Sequence, residues 1–440
     1  MLGRSPVVVS ASTISDITVE GPSASNSLSF PAVELGYALA WVPMAWQSTE
    51  ASTSGHIIAA VLNLTDGMIE KRQTIDGTSS AVSPPSLHVL TSSYAWIDCC
   101  SQNGSNLLAV TTSNDRGSHF SPNLFAPAGN PQEADIGDDN GNLFLVWRDG
   151  PPSQPGDVRF STLPLGSSTF SSPITLGTSG LDLAIAVGGT SGSVANLFMF
   201  VAWTSSTGSL LVRRSLDGGH TFEQAINVDG ARSATRSGPR LVHGQHGDVH
   251  LVWQSREADG VHLRYALSSG NAQSFGAAVD LDEVPGQSPD LNPSIFAFPT
   301  HEVWVAWSSY KDYLTSGRTI RVKTAPETIG SPWSEFQTGA NKTSSSDQLS
   351  PSFIVDQYGH YVMLYDLVEK TTQPYTHTVH LITSFPIPQP SPPVKQMLGL
   401  DPLAAIVAVS GIVAAATLFF ILRRRTRRIQ DSSGLHEPKT

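Results

Sequence analysis

One hydrophobic pattern returns along most of the chain. A proline-containing approach leads into a short apolar strand. A turn follows, then a continuous apolar run that ends in an aromatic residue and a polar loop. The clearest copies of this second strand are NLFLVW, ending at Trp147, DVHLVW, ending at Trp253, and EVWVAW, ending at Trp307. Looser copies are YALAWVPMAW at Trp46, SYAWIDCC around Trp96, LFMFVAW at Trp203 and HYVMLYD around Tyr365. Successive aromatic markers lie 50 to 58 residues apart. After each polar loop comes a third strand, such as SLLVRRSLD or VHLRYALSS, then a turn and a fourth segment, such as FEQAINVD or FGAAVDLD. Short, unbroken apolar runs between turn signals describe strands buried on both faces. A single unit of this kind cannot cover both of its own faces, so its neighbours must.

The repeat predicts an all-β fold, a β-propeller of four-stranded blades. Seven markers predict seven blades; a six-bladed ring with the first repeat as an appendage is the alternative. The last repeat, residues 349–384, shows three strands, and ISDITVEG at 14–21 supplies a spare one ahead of the first marker. The N-terminal strand is therefore expected to complete the last blade and leave no open edge. Residues 1–384 form the expected propeller, and the proline-rich stretch from 385 to 401 is an extended stalk. PLAAIVAVSGIVAAATLFFIL, residues 402–422, carries no charge over 21 residues. As a helix it spans roughly 30 Å, enough to cross a bilayer. RRRTRR at 423–428 follows at once and reads as a stop-transfer, positive-inside signal, which makes 423–440 a basic cytoplasmic tail. This predicts a single-pass cell-membrane protein with the propeller outside; the competing reading is a buried soluble helix. The opening MLGRSPVVVSASTIS has only three consecutive valines, short of the apolar segment of an export signal.

Composition agrees: charged residues are 14%, with 37 Gly and 30 Pro, as expected for many short strands joined by turns. The net charge is −11, and the tail after Leu422 holds six Lys and Arg against two Asp and Glu, which leaves the remainder near −15. So acidic an exterior excludes nucleic acid as the expected partner. The two cysteines, Cys99 and Cys100, are adjacent and read as small buried side chains of a strand rather than a metal site or a strained disulfide. No metal and no cofactor is expected. Sequons at Asn63, Asn103 and Asn341 are compatible with surface glycosylation. DDNGN at 138–142 has the look of a calcium loop, but position twelve is Gly150 rather than Glu, so it reads as an Asn-Gly hairpin.

SLDGGHTF, residues 215–222, has Ser215, Asp217, Gly219, Thr221 and Phe222 in the pattern S-x-D-x-G-x-T-[FW]. It resembles the Asp box, or BNR repeat, of sialidase-like propellers. SNDRGSHF matches at Ser113, Asp115, Gly117 and Phe120, with His119 in place of Thr. SSGNAQSF at 268–275 keeps the length, the first Ser and the last Phe, and GSSTFSSP at 166–173 keeps only the end. The box falls between third and fourth strands. A short carboxylate accepts N–H groups across such a turn, glycines allow positive φ, and the terminal Phe tucks beneath. These are the parts of a hinge and place no nucleophile or proton donor. The resemblance implies that these turns lie opposite the active face.

Strand alternation puts the connections from second to third strand, and from blade to blade, on the other face. There the sequence offers Asp98, Arg148, Asp149, Arg256, Glu257, Tyr310, Asp312 and Asp366, with Arg236 and Arg240 in an inter-blade linker. A funnel lined by such groups is the default ligand site. Sialidase-type catalysis, as the resemblance implies it, needs three arginines on a substrate carboxylate, a Tyr activated by a Glu, and an acid. The F/Y-R-I-P motif that usually supplies the first Arg is absent; SFPAVELG stands near its place. Arg236 or Arg240, Arg256 and Arg318, with Tyr310 and Glu257, are the residues available for that role. The expected function is a membrane-anchored surface propeller that binds a glycan or protein, or serves a structural role; the alternative is an exo-acting sialidase-type glycoside hydrolase.

Overall fold

The computed structural model describes residues 15–384 apart from connecting segments, the longest being 24–31, 75–85, 283–291 and 337–344. The expected stalk, membrane span and tail lie outside the described residues. Among those residues no helix is long and apolar enough to cross a membrane.

The fold is all-β, and its antiparallel strands follow one another as meanders. After β1 (Ser15–Ser23), the first meander is β2 (Ala32–Val33), β3 (Trp41–Ser48), β4 (His56–Asn63) and β5 (Met68–Thr74). The next is β6 (Ser86–Val89), β7 (Tyr94–Gln102), β8 (Ser105–Ser113) and β9 (Leu124–Phe125). A seven-stranded sheet follows: β10 (Pro131–Asp139), β11 (Asn142–Asp149), β12 (Gly156–Leu163), β13 (Ile174–Gly189), β14 (Leu197–Ser205), β15 (Leu210–Ser215) and β16 (Ile226–Asn227). Then come β17 (Thr235–His243), β18 (Val249–Glu257), β19 (Gly260–Ser268) and β20 (Val279–Asp280). The fifth sheet joins β21 (Ser294–Ala297), β22 (Glu302–Tyr310), β23 (Arg318–Pro326) and β24 (Ser334–Phe336) to one another. Last are β25 (Ser346–Val355), β26 (Tyr361–Glu369) and β27 (Thr376–Thr383), on whose outer edge β1 pairs, Ser15 opposite Thr383 and Ile17 opposite Leu381.

The long β13 replaces a loop. Its first half closes the sheet of β10–β12, and its second half opens the next meander against β14. Glycines let it cross: a β-carbon on Gly180 would stand 2.3 Å from Val158, and one on Gly177 2.7 Å from the ring of Trp203. The first strands touch in a closed circuit, β2 to β6, β10, β13, β17, β21, β25 and back to β2. Each core cluster lies between two successive meanders. The marker residues Trp46, Trp147, Trp203, Trp253, Trp307 and Tyr365 are all buried, each less than 2% exposed. Burying one such ring removes roughly 200 Å² from water, on the order of 5 kcal/mol.

The 3–4 turn keeps one length through four meanders. The main-chain N–H of Ser121 donates to Thr112 O, Ser171 to Thr162 O, Glu223 to Arg214 O and Gly276 to Leu267 O. This corrects one register: the counterpart of residues 215–222 in the third copy is 163–170, ending at Phe170, rather than 166–173. Hydroxyls brace the closure, Thr111 Oγ1 donating to Ser121 O at 2.9 Å and Ser161 Oγ to Ser171 O at 2.8 Å. Asn63 is 8% exposed, and its Nδ2 donates to Glu70 at 3.3 Å, a poor position for a glycan. Asn103 and Asn341 lie outside the described residues.

Candidate functional site

Each sheet has two ends. The turn end carries the connections from first to second and third to fourth strands; the loop end carries the rest. At the loop end, most charges named by the sequence are consumed by the fold. Arg148 is 6% exposed; it donates from Nη1 to Pro151 O at 3.0 Å and to Gln154 O, and from Nε to Glu133 at 3.3 Å. Arg236 is equally buried and donates to the carbonyls of Gly208, Ala234 and Asp229 at 3.2, 2.6 and 2.7 Å. Asp149 accepts the Asn130 N–H at 2.6 Å. Asp366 is fully buried and accepts from His377 Nδ1 at 2.9 Å. Glu257 receives Arg264 at 2.8 and 3.1 Å and Ser255 Oγ at 3.1 Å. Burial alone would raise the Glu257 carboxyl, but these bonds hold it below its ordinary value. Arg256 is exposed at the end of β18. The side chains of Asp98 and Tyr310, and all of Asp312, lie outside the described residues.

What remains gathers on three successive first strands. Glu133 on β10, Asp182 on β13 and Arg240 on β17 face one another electrostatically: Asp182 pushes the Glu133 carboxyl up, while Arg148 and Arg240 pull it down. Burial is the largest influence, and the net result is a carboxyl above its ordinary value. Asp182 is held at positive φ, 44°, and its Oδ2 accepts the Gly238 N–H at 3.2 Å and Thr204 Oγ1 at 3.4 Å. Gly238 and Ser350 repeat that positive φ at register shifts within β17 and β25, as does Asn292 just before β21, and Asn292 Nδ2 donates to Ser350 Oγ at 3.3 Å. Arg240 is exposed; its Nη1 donates to Pro239 O at 2.9 Å, and no carboxylate among the described residues ion-pairs with it.

Sequence reasoning included Arg240 and missed Glu133 and Asp182. Both sit at the entry of a first strand, in NPQEAD and SGLDLA. An acidic residue there, where the pattern asks for an apolar one, was the available signal. This crescent offers a guanidinium with free donors to an anionic or hydroxyl-rich ligand, beside a carboxyl that burial pushes above its ordinary value.

Nearby, Glu257, Asp259 and His262 have the ligand types of a metal centre. Their pairing argues otherwise. His262 Nδ1 stands 2.7 Å from Asp280 Oδ2 and Nε2 2.9 Å from Asp259 Oδ1. Burial lowers this imidazole, but the two carboxylates outweigh it and hold it above its ordinary value. Both ring nitrogens thus already face carboxylate oxygens of the chain.

No protein-family model matches the chain and no curated protein is similar to it in sequence. Solved structures are similar in fold. An ulvan lyase of polysaccharide lyase family 25 superposes with a TM-score of 0.54 at 10% identity, over 83% of this chain and 96% of its own. A protein of unknown function from Dyadobacter fermentans gives 0.47 at 12% identity, over 84% and 99%. The NanB sialidase of Streptococcus pneumoniae gives 0.48 at 10% identity, over 83% and 70%. At such identities the likeness is one of fold alone.

Proposed function

We propose that the meanders are the seven blades of a β-propeller closed by β1, and that its loop end binds an acidic or hydroxyl-rich glycan. Residues 402–422 hold this module at a membrane surface, with residues 385–401 as a stalk, and the 113–120 and 215–222 turns are structural Asp boxes of the sialidase-like type. The observation that carries the reading is Arg240, an exposed guanidinium with no carboxylate partner among the described residues, next to Glu133 and Asp182 where three first strands meet. The fold shared with a polysaccharide-acting enzyme supports a carbohydrate ligand. Binding is favoured over sialidase-type hydrolysis by one observation: Arg236, a candidate for the carboxylate grip, spends its donors on carbonyls of its own chain.

A glycan array probed with the full-length chain, followed by calorimetry on the best ligand, tests this. Arg240→Ala is expected to weaken binding by about tenfold or more. Turnover of a fluorogenic sialoside that Arg240→Ala abolishes would replace the binding reading with the hydrolase.

A further inference from the structure

At the turn end, a cavity of about 410 Å³ opens between the β10–β13 meander and the β13–β16 meander. Phe144 and Phe160 form its floor, their rings 6.5 Å apart and within 7° of parallel. Phe222 meets Phe160 edge-on at 5.0 Å and braces it from behind. One wall is the backbone of Gly218 and Gly219, at φ of 72° and 85°. A β-carbon on Gly219 would stand 2.8 Å from Phe160 Cζ, so only glycine lets this wall lie against the floor. Ile174, 37% exposed, forms an apolar lip.

The rim is polar and, among the described residues, carries no carboxylate, ammonium or guanidinium. It includes Thr162, Ser172 and His220. The Thr162 and Ser172 hydroxyls and the His220 ring have no hydrogen-bond partner among the described residues, and all three side chains reach solvent. Each hydroxyl donates and accepts, and a neutral imidazole does one at each nitrogen.

We propose that this cavity is a second ligand site, separate from the loop end, and that it takes one neutral sugar residue. A pyranose has an apolar C–H face and an edge of hydroxyls, which matches an apolar floor inside an uncommitted polar rim. An aliphatic or aromatic side chain from a protein partner would fill the floor but strip water from three polar groups without replacing it. A charged ligand would find no carboxylate, ammonium or guanidinium among the lining residues. The volume falls within the ordinary range for small-ligand sites, about 300–1,000 Å³.

The test is saturation-transfer NMR and calorimetry on the full-length chain with glucose, galactose, mannose and N-acetylglucosamine. At least one is expected to bind with millimolar affinity. Thr162→Val with His220→Ala is expected to weaken it about tenfold or more through two lost hydrogen bonds, with an unchanged melting temperature. Ser172→Phe, which fills the mouth from an exposed position, is expected to abolish it. Arg240→Ala is expected to leave it unchanged, which separates this site from the loop end. No binding at about 10 mM sugar, above the millimolar range where a useful weak site operates, overturns the proposal. So does binding that survives Ser172→Phe, or that Arg240→Ala removes.

Discussion

His119 stands to Asp115 as Thr221 stands to Asp217. Asp115 Oδ2 lies 2.5 Å from His119 Nδ1, and Asp217 Oδ2 accepts from Thr221 Oγ1 at 2.5 Å. In both turns the other carboxylate oxygen accepts the main-chain N–H four residues on, at 2.8 and 2.9 Å. In both, the leading serine donates to that oxygen while accepting the glycine N–H, Gly117 at 2.7 Å and Gly219 at 2.8 Å. An imidazole replaces a hydroxyl without altering the turn because each delivers one hydrogen to the same oxygen.

The Asp115 carboxyl is held well below its ordinary value, first by the His119 main-chain N–H and then by its ring. A depressed carboxyl contributes stability that is present above the unfolded value of 3.8 and lost as pH falls below it. The melting temperature of Asp115→Asn is therefore expected to lie below wild type at pH 6, with a gap that narrows as pH falls from 3.8 toward 3. His119→Thr is expected to melt as wild type does at pH 6. A gap between wild type and Asp115→Asn that stays constant between those pH values would contradict this account.

Gly219→Ala is expected to destabilise by about 2–4 kcal/mol, from left-handed backbone strain and overpacking together. Its φ is 85°, and the new methyl would meet Phe160 and the Met199 sulfur at 3.0 Å or less. The structural equivalent in the next copy is Ala272, buried at φ 55°, where the chain already carries a β-carbon. Ala272→Gly is expected to change stability by less than about 1 kcal/mol, since relief of strain opposes lost burial. Chemical denaturation of both variants checks the contrast.

Two arginines four residues apart are expected to separate structure from binding. Arg236→Ala strands three carbonyls and is expected to cost about 2–4 kcal/mol in urea unfolding. Arg240→Ala, on an exposed side chain, is expected to stay within about 0.5 kcal/mol of wild type while losing the loop-end ligand.

His250 is fully buried, with Nδ1 2.7 Å from Tyr265 Oη and Nε2 3.7 Å from Glu327 Oε1. Burial, aided by His243, pushes its imidazole down to about 4 from 6.5. A depressed folded value means that the unfolded chain takes up the proton first, so stability is lost as pH falls through the window from 6.5 to about 4. The loss is expected to reach about 3 kcal/mol at most. Urea titrations from pH 7 to 4 should show this slope, and His250→Gln should flatten it.

Glu327 also shows what sequence reading overlooked. Ala325 pairs with Val303 as Ser215 pairs with Met199, so Glu327 takes the place of Asp217. Trp333 meets Tyr265 edge-on at 4.8 Å, as Phe222 meets Phe160. APETIGSPW is thus a further copy of the same turn, one residue longer, with its carboxylate turned inward toward His250. The Glu two residues after Ala325, the Gly330 and the final Trp were its legible traces.

The strands, their order and the marker aromatics were determined by the sequence itself. A strand covered by neighbours on both faces must be apolar throughout, and that demand writes an uninterrupted run into the chain. The loop end was decided by tertiary structure. Arg236 and Arg240 look alike in SATRSGPR; only folding brings the carbonyls of Gly208 and Asp229 to the first and leaves the second exposed beside residues from two strands of the neighbouring sheet. Apolar burial is a local property repeated at every unit. The fate of a charge depends on which distant donors and acceptors reach it first, and no local pattern records that.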